Sequence, residues 1–184
     1  MNSPRHTVSG LETAVAVTIG TLYYCDILRV LSHSGPGADA IFRVVGLLLY
    51  GATVLLLAPH ARALIHNAVR TPLLLALTVL PIVSTFWSIS PIETLVRSTT
   101  LLGSSLFGYY IAIRYSARGM LRLLALVAFV VAVLSLLLIV FVPSLGIDHK
   151  APWIGAWKGA FLQKNGLGGG MALGSALLIV YLSD

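Results

Sequence analysis

Six runs of about 20 apolar residues, separated by short polar links, occupy most of this chain and decide its architecture. The hydrocarbon core of a bilayer takes about 20 residues of helix to cross. Within it every backbone N–H and C=O must be bonded inside the segment, which leaves the helix as the way for a single run to span. The runs fall near 11–31, 41–58, 72–88, 95–113, 121–142 and 168–182. They predict an all-α, polytopic transmembrane helix bundle of about six spans, with residues 1–184 forming one transmembrane region. Only 10% of the residues are charged, where a soluble domain carries roughly a quarter. No stretch is left over for a soluble catalytic domain.

The polar residues orient the bundle. Arg62, Arg70, Arg114, Arg118 and Arg122 follow the second and fourth runs, and Arg5 precedes the first. Segments 32–40 and 89–94, which include the turn signal Ser34-Gly35-Pro36-Gly37, hold no Lys or Arg. Basic residues concentrate on the cytoplasmic side of membrane proteins, so both the N- and C-termini are expected there. Glu12 interrupts the approach to the first run, and Asp26 and Arg29 follow it without a small-residue cleavage signal, which argues against a removed leader. Asp26 and Arg29 are three apart and would share a face if that run were one helix. Pro81 interrupts the third run, a break that neighbouring helices can satisfy. The lone Cys25 excludes an intramolecular disulfide framework. No basic tract with interleaved aromatics suggests a nucleic-acid partner.

One segment breaks the charge rule. The outward link 143–167 carries Lys150, Lys158 and Lys164, and lysines on that side need another reason to be there, such as an anion. Lys164-Asn165-Gly166 precedes the last run, with Asn165 as the expected N-cap, so helix amides and lysines would face outward together. Trp153, Trp157 and Phe161 recur at a spacing of four and would form one aromatic face of a helix, set in the membrane interface or stacked on a sugar. Gly166, Gly170 and Gly174 make a smooth stripe for close helix packing. A second cluster, Phe86-Trp87-Ser88-Ile89-Ser90-Pro91 with Glu93, Arg97 and Ser98, falls on the same expected side. Arg97 either pairs with Glu93 four residues earlier or grips a diphosphate. No D-x-D, H-E-x-x-H, C-x-x-C, G-x-S-x-G, P-loop or dinucleotide fingerprint occurs, so neither a metal nor a cofactor is expected. Asp148-His149-Lys150 reads as a solvated turn.

The pattern Trp87-Ser88-x-Ser90-Pro91-x-x-Thr94-Leu95-x-Arg97-Ser98 resembles one near the third and fourth spans of bacterial O-antigen ligase family proteins. Gly155-x-Trp157-Lys158-Gly159-x-Phe161-x-x-Lys164-Asn165-x-Leu167-Gly168 is similar to the outer-loop motif of their exopolysaccharide-polymerase branch. Together the two cover the chain from about Ile41 onward. The resemblance implies a metal-independent glycosyltransferase of the bacterial inner membrane in cell-surface polysaccharide biosynthesis, with its site on the periplasmic face. Its donor would be an undecaprenyl-diphosphate-linked glycan, and other polysaccharide-assembly proteins would be its partners. Carried over residue by residue, Arg97, Lys158, Lys164 and Asn165 would lie on the diphosphate and glycan path, with Trp87, Trp153, Trp157 and Phe161 as stacking or interface residues. Gln163 stands where the family commonly has a histidine. The family has about twice as many spans and takes catalytic residues from a later outer loop. The chain is therefore expected to be an N-terminal part, inactive alone, with the catalytic base unassigned. Two rival readings are a transporter or flippase subunit for a lipid-linked glycan or small molecule, and a non-catalytic membrane partner subunit.

Overall fold

The computed structural model describes residues 8–32 and 38–183; Arg5, the Ser34–Gly37 turn and Asp184 lie outside them. The described residues are mostly helical, with no strand beyond one isolated antiparallel bridge between Ile147 and Trp157. The helices are α1 (Gly10–Tyr24), α2 (Ile27–Ser32), α3 (Ala38–Leu57), α4 (Ala61–Arg70), α5 (Pro72–Val83), α6 (Pro91–Arg114), α7 (Ala117–Phe141), the single turn α8 (Pro143–Gly146) and α9 (Lys164–Ser183). Two 3-10 turns, Ala58–His60 and Ser84–Trp87, follow α3 and α5.

Among the described residues three stretches, rather than six, are long and apolar enough to cross a membrane: Val44–Arg70, α7 and α9. The first expected span breaks at Cys25 and Asp26, leaving the 15-residue α1 and the 6-residue α2. The break also removes the shared helical face expected for Asp26 and Arg29. The third gives only the 12 residues of α5 before the chain tightens into 3-10 geometry, with Pro81 inside the helix. The fourth, α6, is long at 24 residues but dilutes its apolar side chains with hydroxyls, glycines, Glu93, Arg97 and Arg114.

Local chemistry explains the boundaries. The Ser9 hydroxyl accepts from the Glu12 amide, and Ser116 does the same for Gly119, so α1 and α7 each start on a serine cap. Pro91 sits in the first turn of α6, where its missing N–H costs nothing, and the helix begins a turn before the apolar run does.

The chain divides into two compact units, one of residues up to Val44 together with Ser116–Asp184, the other Val45–Tyr115. In the first, α7 packs against both α1 and α9. Its buried residues Leu123, Val127, Val131, Ser135 and Ile139 follow a spacing of four and so line one face. Gly174 of α9 approaches α7 so closely that a Cβ there would come within 2.9 Å of Ala128 Cβ. In the second unit, α4 and α5 pack on α6, and the Tyr50 hydroxyl of α3 donates to Thr100 Oγ1 of α6 at 2.9 Å.

Candidate functional site

The segment between α7 and α9 is a built loop. After α7 ends, the Pro143–Gly146 turn folds back so tightly that a Cβ on Gly146 would lie 2.6 Å from the Leu138 and Ile139 backbone. The Gly146 carbonyl then accepts from the amides of both Lys158 and Gly159, each at 2.9 Å. Beyond this clasp the chain makes a narrow arm, closed by the Ile147–Trp157 bridge, Asp148 N to Ala156 O at 2.8 Å and Gly155 N to Asp148 O at 2.9 Å. Gly155 and Gly159 take left-handed φ values of 84° and 56°, which L residues with side chains adopt at a cost.

Past the clasp the chain turns inward. The amide of fully buried Ala160 donates to Ser135 Oγ of α7 at 3.2 Å. Ser135 lies six residues before the last of α7, roughly 9 Å along the axis at 1.5 Å per residue. Non-helical backbone at such depth is tolerated only where protein satisfies it, and the lone hydroxyl in this apolar helix does so. Phe161 follows, with its ring against Gly166 and Gly170 of α9. Tyr24 of α1 meets that ring edge-on at 6.3 Å and donates its hydroxyl to Gly170 O at 2.7 Å. Cys25, Val131, Ala160 and Phe161 form the buried cluster that holds the loop.

This geometry revises two expectations. Trp153, Trp157 and Phe161 do not share a helical face, because 147–163 is turns and bridge rather than helix. Phe161 is 6% exposed and belongs to the core, whereas Trp153 and Trp157 are 49% and 59% exposed. Asn165 is not the N-cap: the amides of Gly166 and Leu167 both donate to the Gln163 carbonyl, so α9 starts at Lys164 and Asn165 lies exposed in its first turn. Of the glycines expected to make a smooth packing stripe, Gly166 and Gly170 receive Phe161 and Gly174 meets Ala128.

One cation of the loop is held against an aromatic ring. Lys164 Nζ stands 3.5 Å from the centroid of the Trp153 ring, a cation–π contact that presents ammonium and indole together. Lys158 is half-buried next to the exposed Trp157. At the arm's tip the Lys150 amide donates to Asp148 Oδ1 at 3.0 Å, and His149 Nε2 lies 3.3 Å from Pro143 O, the arrangement of a closed turn. No group of three or more metal-ligating side chains occurs among the described residues. The surface offers an ammonium group against an exposed indole, a combination that can meet an anion beside a flat ring.

The second motif lies in the other unit. The Ser88 hydroxyl accepts from the Ser90 amide at 3.1 Å and shares a hydrogen bond with Thr94 Oγ1 at 2.6 Å, bracing the turn that starts α6. Ser88, Ile89, Ser90, Glu93, Thr94 and Arg97 line an open depression of about 300 Å³. Arg97 pairs with Glu93 one turn earlier, both largely exposed at 76% and 62%. Trp87 is exposed at the end of the 3-10 turn. The ion pair and the depression coexist, so an incoming anion would meet Arg97 in competition with Glu93. The hydroxyls of Ser88 and Thr94 were legible in the Ser-x-Ser-Pro-x-x-Thr pattern. Ser135 and Tyr24 were not assigned to the site from sequence; a single hydroxyl within the apolar run 121–142 was the available signal for Ser135.

Compared with protein-family models, curated protein sequences and solved structures, the chain matches none.

Proposed function

We propose that this chain is an O-antigen ligase or exopolysaccharide polymerase-like component of the bacterial inner membrane that binds undecaprenyl-diphosphate-linked glycan on the periplasmic face. In this reading the chain makes six crossings with both termini cytoplasmic. Helices α1 and α5, which are short, and α6, which carries more hydroxyl and charged residues, cross as well, and the 147–163 loop lies outside. The observation that carries it is the loop itself: a segment clasped at Gly146 and anchored on Ser135 that displays Lys164 against Trp153, with Trp157 and Lys158 beside the clasp. A link with no task has no need of such construction.

Lys158 and Lys164 would take the diphosphate, and Trp153 and Trp157 would stack on the first sugars. Arg97, in the other unit, would meet a phosphate on its own once released from Glu93. Cations placed at a diphosphate stabilise it as a leaving group while negative charge grows on it, and no metal is needed for that. A hydrogen bond to a charged group is worth about 1.5–3 kcal/mol, roughly tenfold or more in affinity.

The test is binding of a polyprenyl diphosphate to the full chain in lipid nanodiscs, with the matching polyprenol as the neutral control. The wild type should prefer the diphosphate, and K158A/K164A should bind it at least tenfold more weakly with polyprenol binding unchanged. Equal affinity of wild type and double variant for the diphosphate would remove the proposal.

A further inference from the structure

Helix α4 carries a surface that the transfer reading leaves unused. At 3.6 residues per turn its ten residues divide into two arcs. Ala63, Leu64, Asn67 and Ala68 form the inner arc and are partly covered, and α4 packs on α5 and α6. The outer arc is exposed and is itself divided lengthwise. Ala61, Ile65 and Val69 recur at a spacing of four on one half, and Arg62, His66 and Arg70 recur on the other. Ile65 and Val69 are 64% and 70% exposed. An apolar strip beside a cationic strip, with the remaining arc fixed to protein, is the layout of a helix lying in a membrane surface.

The position of α4 in its unit agrees. It follows the 20-residue α3 after the Ala58–His60 turn and leads into the first turn of α5. The Thr71 hydroxyl between α4 and α5 bonds the Tyr109 hydroxyl, which sits five residues before the end of α6, at 3.0 Å. Thus α4 is held where α5 begins and α6 ends, which is headgroup level in the six-crossing reading, and its placement rests on that reading.

We propose that α4 is an interfacial helix that recognises anionic phospholipid: Ile65 and Val69 enter the headgroup–acyl boundary while Arg62 and Arg70, with His66 between them, meet lipid phosphates. The proposal stands independently of any glycan chemistry. A single bimane on Ile65→Cys, in a Cys25→Ala background, reports it in nanodiscs containing acyl-brominated phosphatidylglycerol or acyl-brominated phosphatidylcholine. Brominated chains should quench the label at position 65, with phosphatidylglycerol favoured by about fivefold for each arginine. The preference should vanish in R62Q/R70Q while quenching persists, and a label on His66→Cys should be quenched weakly. Equal quenching by both lipids in the unaltered helix would overturn anionic recognition. Absence of quenching, whether from water exposure or from cover by a second copy or another protein, would overturn the membrane placement.

Discussion

Replacing Gly159 with alanine tests the seating of the loop on α7, and the structure supplies both parts of its cost. The residue has φ +56°, a conformation that costs a side-chain-bearing L residue about 1–2 kcal/mol. Its new Cβ would also lie 2.5 Å from Ser135 Cβ and 3.1 Å from Ser135 Cα, atoms on the buried face of α7. Overpacking of this kind costs about 1–3 kcal/mol, so the two together come to about 2–5 kcal/mol. Gly155 provides the internal control. Its φ is +84°, yet nothing lies within 4 Å of its ideal Cβ, so Gly155→Ala should show only the backbone part, about 1–2 kcal/mol. Reversible unfolding of the full chain in mixed SDS micelles, followed by tryptophan fluorescence, reads each difference. In a Ser135→Gly background, Gly159→Ala should cost less than it does in wild type, because the Cβ it strikes is gone. If Gly159→Ala lies within 0.5 kcal/mol of wild type, or no further from it than Gly155→Ala, the loop does not rest on α7 and the reasoning fails.

Other substitutions follow from the same geometry. Gly168→Ala and Gly169→Ala, each open around the added methyl, should stabilise α9 by about 0.5–1 kcal/mol in the same unfolding assay. Gly170→Ala should instead destabilise, because its Cβ would meet Phe161 Cζ at 2.8 Å. Glu93→Ala should leave stability within about 0.5 kcal/mol, since exposed ion pairs one turn apart contribute little. It should also strengthen diphosphate binding in nanodiscs by releasing Arg97, and Arg97→Ala should weaken it. A drop in affinity for Glu93→Ala would show that the pair, rather than the free guanidinium, is what matters.

Helical character was legible from the apolar runs because a lipid solvent leaves the backbone few alternatives. The α7 run is the clearest case: 121–142 was expected and Ala117–Phe141 is found. The break at Cys25 and Asp26 was missed because hydropathy averages over a window, and a two-residue interruption barely moves the average. Spacing misled at Trp153, Trp157 and Phe161. A period of four suits a helix, but glycines at 155 and 159 admit positive φ and let the chain turn between the aromatics. The start of α9 was displaced by two residues for a related reason. Asn165 has the side chain a cap prefers, yet the Gln163 carbonyl receives the first amides. The three lysines singled out by charge lie in or next to the segment that is clasped, bridged and anchored.

The most direct measurement is a photocrosslinking map. A diazirine placed beside the diphosphate of a polyprenyl diphosphate probe, irradiated with the full chain in nanodiscs and read by peptide mass spectrometry, locates the headgroup to within a few residues. The proposed site predicts adducts concentrated in 151–165, suppressed by excess unlabelled polyprenyl diphosphate and reduced in K158A/K164A. Adducts spread along the apolar faces of the helices, or a loop pattern indifferent to unlabelled competitor, would contradict it.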